Sequence, residues 1–102
     1  MGIPQIEANK IQRIATLLKA IAHPLRLSII ELLAQKNKLS VSELCAYLNC
    51  EQSYLSHNLN YMRLQGILDC ERQGQKVYYS LRLKHITALL DCLEKCTCEK
   101  EL

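Results

Sequence analysis

The chain has 102 residues, 49% hydrophobic and 23% charged, and its 13 basic and 10 acidic side chains give a formal net charge of +3. This length fits one domain with a modest core, and the hydrophobic content excludes a disordered tail. The small positive charge permits nucleic-acid binding without requiring it, because basic groups must also be clustered on one surface.

Several classes of protein are disfavoured at once. No run of about 18 apolar residues is present, so we expect no membrane partner. The first residues, MGIPQIEANK, lack the layout of a signal peptide, which predicts a cytoplasmic protein whose six cysteines are thiols. His23, His57 and His85 fall on separate predicted elements, and no nucleophile motif or phosphate-cradling glycine loop accompanies them. We therefore expect no enzyme.

The first third of the chain predicts two helices. Apolar residues at helical spacing indicate a first helix over residues 7–22. This stripe comprises Ile11, Ile14, Ala15, Leu18 and Ile21. Proline suits the first turn of a helix, so a second helix is expected from Pro24 to about Gln35. The segment from Lys36 to Lys38 is predicted to be a polar turn.

A helix-turn-helix is predicted over residues 40–66. Ser40-Val41-Ser42-Glu43 is a capping-box pattern that opens a third helix, and Asn49 can take the left-handed stop position after it. A short turn leads into a fourth helix, from Gln52 to Gln65, which Gly66 ends. Two short helices joined by a tight turn, the second polar on its outer face, are typical of DNA-binding proteins.

The fourth helix has two different faces. Leu55, Leu59 and Met62 share one side at i, i+4 and i+7. The opposite side carries short hydrogen-bonding groups and a cation, the chemistry that contacts base edges and phosphates. Ordinary solvated surface often looks the same, so the interpretation depends on the helix-turn-helix around it. The candidate base contacts are Ser53, Tyr54, Ser56, His57 and Asn60, and the candidate phosphate or edge contacts are Gln52 and Arg63.

A β-hairpin is predicted over residues 67–81. Apolar and polar residues alternate from Ile67 to Arg72 and from Lys76 to Leu81, around a turn at Gln73-Gly74-Gln75. Arg72, Gln73 and Lys76 lie near its tip, where such a wing can reach phosphates or the minor groove. A surface hairpin with ordinary charges is the alternative.

Helical periodicity returns over residues 83–99. The predicted fold is therefore mainly α with a small β-hairpin wing, a winged helix-turn-helix that fills a single domain over residues 1–102. The first and last helices, over residues 7–22 and 83–99, lie outside the helix-turn-helix and the wing. We expect their apolar stripes to form a homodimer interface. A two-fold dimer would place two recognition helices about 34 Å apart on a near-palindromic duplex.

In their order and spacing these pieces resemble the ArsR/SmtB family of small bacterial repressors, from about Ile14 to Leu93. The resemblance is carried by Leu18-Lys19-Ala20, Ala22-His23-Pro24-Leu25-Arg26-Leu27, Leu39-Ser40-Val41-Ser42-Glu43-Leu44, Ser56-His57-Asn58-Leu59, Gln65-Gly66-Ile67-Leu68 and the hairpin segment Arg72-Gln73-Gly74-Gln75-Lys76-Val77-Tyr78-Tyr79-Ser80-Leu81. It implies a homodimer that binds an operator without a cofactor, represses its own operon and releases DNA when an inducer binds.

The family senses its inducers at several places, two of which are incomplete here. Many arsenic, cadmium and lead sensors carry Cys-Val-Cys-Asp where this chain has Ser40-Val41-Ser42-Glu43, and hydroxyls are poor ligands for soft metals. Persulfide sensors pair a cysteine of the second helix with one near the end of the last helix. The matching residues here are Glu31 and Cys98, so that pair is also incomplete.

The zinc, cobalt and nickel sensors of the family use an Asp-x-His…His-x-x-Glu/His pattern on the last helix. The matching positions here are Leu83, His85, Cys96 and Glu99. One ligand is lost and one imidazole is replaced by a thiol, so the resemblance implies at most a variant of the standard site.

The last predicted helix carries three cysteines within seven residues. Thiolates from Cys92, Cys96 and Cys98 could form the trigonal sulfur site that As(III) or another thiophilic ion prefers, with His85 and Glu99 as additional candidate ligands. The same three cysteines could instead sense oxidants or reactive sulfur. Because the second-helix cysteine is missing, we expect a thiophilic metal or metalloid inducer.

Three alternatives stay open. The cysteines could simply pack in the dimer interface of a repressor that needs no ligand. Redox or sulfur sensing at the same thiols would give a repressor with a different inducer. The weak net charge also leaves room for a winged helix that binds protein rather than DNA. A steep fall of duplex binding with added salt would exclude this last class.

Overall fold

The computed structural model describes residues 6–98, and this part of the chain contains five helices and three strands. They are α1 (Ala8–Ile21), α2 (Pro24–Lys36), β1 (Lys38–Ser40), α3 (Val41–Leu48), α4 (Gln52–Leu64), β2 (Leu68–Gln73), β3 (Lys76–Leu81) and α5 (Ile86–Cys98). The predicted winged helix-turn-helix is confirmed. Within the same residues, no helix has the length and apolar character needed to cross a bilayer.

Strand β1 is the element that the sequence-based prediction missed. Its first residue, Lys38, was predicted to end a polar turn, but Leu39 pairs antiparallel with Tyr79 of β3. Tyr79 also pairs with Cys70 of β2, so β3 is the central strand in the order β1-β3-β2. The wing is therefore not a free hairpin. It is hydrogen-bonded to the segment that leads directly into α3.

The core lies between α2, α3, α4 and the sheet. Its largest fully buried apolar side chains are Ile29, Ile30, Leu33, Leu44, Leu55, Leu59, Met62, Ile67 and Leu68. The predicted inner face of α4 is confirmed, since Leu55, Leu59 and Met62 are all fully buried. This burial fixes which side of α4 can face solvent.

Helix α1 contributes little to this core. Only Ala20 and Ile21 of α1 are buried, whereas Ile11, Ile14 and Leu18 are 44–47% exposed. An exposed apolar stripe of this kind is uncommon on an isolated monomer and is typical of an interaction surface.

Helix α5 begins later than predicted, at Ile86 rather than near residue 83. A turn at Lys84 and His85 precedes it, closed by the backbone N–H of Ile86, which donates to the carbonyl of Leu83 at 3.2 Å. The carbonyl of His85 accepts from the backbone N–H of Ala88, in the first turn of α5, at 3.1 Å. The placement of His85 on the last helix was therefore wrong. The predicted end of this helix, Glu99, lies outside the described residues.

Candidate nucleic-acid interface

A capping box fixes the start of α3. The Ser40 hydroxyl accepts a hydrogen bond from the backbone N–H of Glu43 at 3.1 Å, and the Glu43 carboxylate accepts one from the backbone N–H of Ser40 at 2.8 Å. This second bond is the main reason why the pKa of Glu43 lies below its ordinary value. At the other end Asn49 adopts the left-handed conformation, with φ 50° and ψ 54°. Both ends of α3 follow the predicted pattern, and they set the tight turn into α4.

Arg26 and Asn58 hold α4 in place. Asn58 is 2% exposed, and its Oδ1 accepts a hydrogen bond from Nε of Arg26 at 2.9 Å. Asn58 Nδ2 also donates to the carbonyl of Tyr54 at 2.9 Å, within α4. Nη1 of Arg26 donates to the carbonyl of Ala20 at 3.1 Å, and the guanidinium lies 4.2 Å from the centroid of the Tyr61 ring. One guanidinium thus connects the end of α1, the start of α2 and the middle of α4.

The importance of this pair was missed at the sequence level, although a signal was present. Leu55, Asn58, Leu59 and Met62 are at i, i+3, i+4 and i+7, so Asn58 falls on the buried side of α4. A buried amide needs hydrogen-bond partners, and Arg26 supplies one of them. Both residues are therefore positioning groups rather than candidates for DNA contact.

The outer face of α4 is largely exposed to solvent. Of the predicted contacts on this helix, the exposed ones are Gln52, Ser53, Tyr54, His57 and Asn60, and the half-buried ones are Ser56 and Arg63. Nη2 of Arg63 donates to Oδ1 of Asn60 at 2.7 Å, which orients the amide. The Tyr54 hydroxyl lies 3.4 Å from Nε2 of His23, the residue that caps α2.

The wing meets the recognition helix at a groove of about 310 Å³. The groove is lined by Ser40, Val41, Ser42, Gln52, Ser56, Gln75, Lys76 and Val77. It brings three predicted contacts, Gln52, Ser56 and Lys76, to one place at the amino-terminal ends of α3 and α4. Helix amino termini and a lysine are both favourable neighbours for phosphate. Arg72 and Gln73 are exposed near the turn of the wing but do not line this groove.

The three cysteines of α5 are exposed thiols. Cys92 and Cys96 are one helical turn apart, whereas Cys98 is two residues further along. Within residues 6–98 of one chain, no three His, Cys, Asp or Glu side chains are grouped so that they could hold a metal ion. His85 precedes the helix, and Glu99 is beyond the described part.

Two further cysteines lie inside the helix-turn-helix. The Cys45 thiol donates a hydrogen bond to the carbonyl of Cys50 at 2.7 Å, and both residues are half-buried. Burial raises the pKa of the Cys50 thiol, and the neighbouring Cys45 adds to the shift. Both side chains also pack against the hydrophobic core.

An apolar groove of about 530 Å³ lies between α1 and α5. It is lined by Leu18, Ile21, Ala22, Leu27, Leu90, Leu93, Glu94 and Thr97. The exposed stripe of α1 continues from this groove through Ile14 and Ile11. The surface coincides with the predicted dimer interface.

Comparison with known proteins gives consistent matches. A family model described as "Bacterial regulatory protein, arsR family" matches residues 23–69. The transcriptional activator HlyU of Vibrio cholerae is 33% identical over 97% of this chain and 90% of its own length. The biofilm growth-associated repressor of Agrobacterium fabrum is 35% identical over 97% of this chain and 83% of its own.

Solved structures agree with the sequence matches. A structure of HlyU from Vibrio cholerae superimposes with a TM-score of 0.78 at 34% identity, covering 92% of this chain and all of that one. The homodimeric winged helix-turn-helix domain Mb0332 from Mycobacterium bovis superimposes with a TM-score of 0.79, covering 98% of this chain and 92% of that one. At 24% identity this second likeness concerns the fold alone.

Proposed function

Because this chain belongs to the ArsR family of bacterial regulatory proteins, whose members bind DNA as homodimers, we propose that it is a repressor released from its operator at its carboxy-terminal thiols. Its relatives are transcriptional regulators, and it is a transcriptional regulator rather than an enzyme. In the proposal, α4 of each protomer enters the major groove of a near-palindromic operator, and the wing contacts the adjacent backbone.

The observation that carries the proposal is the division of α4 into two faces. Leu55, Asn58 and Leu59 are buried on one side, while Ser53, His57 and Asn60 are exposed on the other. Short amides, hydroxyls and an imidazole can bond to base edges in the major groove. The groove shared with Lys76 supplies the neighbouring positive charge that a phosphate backbone requires.

Duplex binding as a function of salt tests this proposal. The purified protein is titrated with its own upstream DNA and with a scrambled duplex, from about 50 to 200 mM salt, a range over which several phosphate contacts produce a large loss of affinity. We expect one dimer to bind the upstream DNA, with affinity falling steeply as salt rises. Binding that is absent, or indifferent to salt, would contradict the proposal and favour a winged helix that binds protein.

The sensor part of the proposal assigns the inducer to Cys92, Cys96 and Cys98, and names a thiophilic metal or metalloid such as As(III). Three solvent-exposed thiols on one helix support it, because trivalent arsenic prefers three sulfur ligands. Helix α5 also lines the apolar groove with Leu90 and Leu93, so a bond that moves this helix would alter the proposed dimer interface. Release then requires that the inducer bind the form of the dimer with low affinity for DNA more tightly than the DNA-bound form.

The test compares two variants. Replacing Cys92, Cys96 and Cys98 with serine should abolish release of DNA by As(III), whereas Cys70→Ser, at an exposed thiol of the wing, should leave release intact.

Native mass spectrometry of the dimer then distinguishes the candidate inducers. A bound arsenic atom supports the metalloid, and a disulfide or persulfide supports the redox alternative with the same cysteines. Release by every agent in the triple variant would contradict both, and a lack of response in the native protein would leave a ligand-independent repressor.

A further inference from the structure

A second groove, of about 430 Å³, lies on the side of the molecule where α2, α3 and α5 meet. It is lined by Leu27, Ser28, Glu31, Leu32, Gln35, Tyr47, Leu48, Leu90 and Glu94. Its volume is in the range of small-molecule sites in proteins. None of the predicted DNA contacts and none of the three α5 thiols lines it. It is contiguous with the apolar groove between α1 and α5, because Leu27, Leu90 and Glu94 line both.

The lining of this groove combines apolar walls with an aromatic ring and negative charge. Four leucines form its apolar walls, and Tyr47 presents an aromatic ring at 56% exposure. Two carboxylates, Glu31 and Glu94, are the charged groups of the lining, and no lysine or arginine of the described residues belongs to it. Gln35 donates a hydrogen bond from Nε2 to Oε2 of Glu31 at 3.0 Å, which orients that carboxylate without neutralising it.

The Tyr47 ring already has a cation beside it. Nζ of Lys36 lies 5.6 Å from the ring centroid, within the distance at which the face of an aromatic ring attracts a positive charge. Lys36 is a neighbour of the groove rather than part of its lining. A ligand that carries apolar groups around its positive charge could contact the Tyr47 ring and also bury those groups against the leucines. The ammonium of Lys36 has no such apolar groups to bury.

We propose that this groove binds a small apolar organic cation. The apolar walls would exclude water from the body of the ligand, and the aromatic ring and two carboxylates would select its positive charge. An organic anion of the same shape would face Glu31 and Glu94 without a compensating cation in the lining. A neutral ligand would gain only the apolar contacts.

A pair of probes tests the selection of charge. Tetraphenylphosphonium and tetraphenylborate have nearly the same shape and opposite charge. Each is titrated into the full chain, and the tyrosine ring signals are followed by NMR. We expect saturable binding of the phosphonium with its largest shifts at Tyr47, while Tyr54, Tyr61, Tyr78 and Tyr79 serve as internal references. Tetraphenylborate should not bind there.

Charge-neutral variants test the assignment of residues. Each of Glu31→Gln and Glu94→Gln should weaken phosphonium binding about threefold, the effect of one exposed ion pair, and the double variant about tenfold. Tyr47→Ala should weaken it a further two- to fivefold through loss of the ring. Asp91→Asn removes a charge from the same helix outside the groove and should have little effect.

Several outcomes would overturn this inference. They are equal binding of the two ions, shifts centred on a tyrosine other than Tyr47, and unchanged affinity in the double glutamine variant. All the substituted side chains are exposed, so the variants should fold, and circular dichroism checks that they do. The readout involves no DNA, so failure here would leave the proposed repressor function untouched.

Discussion

Nε of Arg26 donates a hydrogen bond to Oδ1 of Asn58 at 2.9 Å, joining the first turn of α2 to the buried side of the recognition helix. Asn58→Ala would leave this charged donor without its acceptor in a partly buried place. We expect the free energy of unfolding to fall by about 1–3 kcal/mol, measured by urea denaturation. Asn60→Ala, an exposed amide on the opposite face of the same helix, is the matched control and should change stability by less than about 0.5 kcal/mol.

Coupling between the two residues can be measured directly. Arg26→Ala should lower the free energy of unfolding by a similar amount. The double variant should lower it by clearly less than the sum of the two single effects, because both changes remove the same contact. Strictly additive losses would show that Arg26 acts through Ala20 and Tyr61 rather than through Asn58.

The two halves of the proposed DNA interface, α4 and the wing, should respond differently to substitution. Asn60→Ala should reduce the ratio of operator to scrambled-duplex affinity, since an amide can distinguish base edges. Lys76→Ala should weaken both duplexes by a similar factor and lower the slope of log affinity against log salt by about one per protomer. Fluorescence anisotropy at several salt concentrations measures both quantities. The reverse pattern would mean that the wing reads sequence and α4 holds the backbone.

The capping box of α3 gives a prediction with a defined pH dependence. Ser40→Ala should cost about 1 kcal/mol at neutral pH, because the hydroxyl caps the backbone N–H of Glu43. The pKa of Glu43 is lower in the folded chain than its ordinary value of 4.5. Its carboxylate therefore stabilises the fold above that value, and the contribution is lost as the pH falls through the folded pKa.

Glu43→Gln should consequently be less stable than the native chain at pH 7, and the difference should shrink as the pH falls below 4.5 and through the lower folded pKa of Glu43. Urea unfolding midpoints between pH 7 and pH 3 measure the difference. Glu51→Gln, at the residue before α4 whose side chain makes no cap hydrogen bond, controls for the loss of one carboxylate. A difference that does not change with pH would exclude the hydrogen bond as its source.

Dimerisation should depend on the apolar groove between α1 and α5. Leu93 lines this groove and is 47% exposed, so Leu93→Glu should place a charge in the proposed interface. We expect the dimer dissociation constant to rise at least tenfold, from the loss of a leucine side chain worth about 1.5–3 kcal/mol in each protomer. Sedimentation equilibrium measures this constant. Leu64→Glu, at an exposed leucine at the end of α4, should leave the dimer intact.

Thiol reactivity should separate the cysteines into two groups. Burial raises the pKa of Cys50, and the thiolate is the reactive form, so Cys50 should be alkylated slowly by iodoacetamide at pH 8. Cys70, Cys92, Cys96 and Cys98 are exposed and should react first. Mass mapping of a time course gives the order. Rapid alkylation of Cys50 in the folded chain would mean that the turn between α3 and α4 opens readily.

Local patterns predicted the parts of the structure that depend on neighbouring residues. Pro24 marks the start of α2, the Ser40–Glu43 box marks the start of α3, and the spacing of Leu55, Leu59 and Met62 identifies the buried face of α4. Each signal acts within one or two helical turns, so an isolated sequence is enough to reveal it.

Features that depend on distant contacts were not predicted. Strand β1 has only three residues, too few for a visible alternation, and it forms because Leu39 can pair with Tyr79 forty residues later. The hydrogen bond between Arg26 and Asn58 also links separate helices. Which side chains touch bases, and whether the α5 thiols converge, depends on a duplex and a second chain. Those assignments stay predictions.

Among residues 6–98, the order β1-β3-β2 leaves the outer side of β2 without a strand to pair with. An unpaired strand of this kind can add a strand from another molecule and begin uncontrolled aggregation. Five of the six residues of β2 are solvent-exposed, and Asp69, Glu71 and Arg72 supply charges of both signs along it. An incoming strand would have to desolvate these charges. The charged side chains of β2 therefore disfavour extension of the sheet by a strand from another molecule.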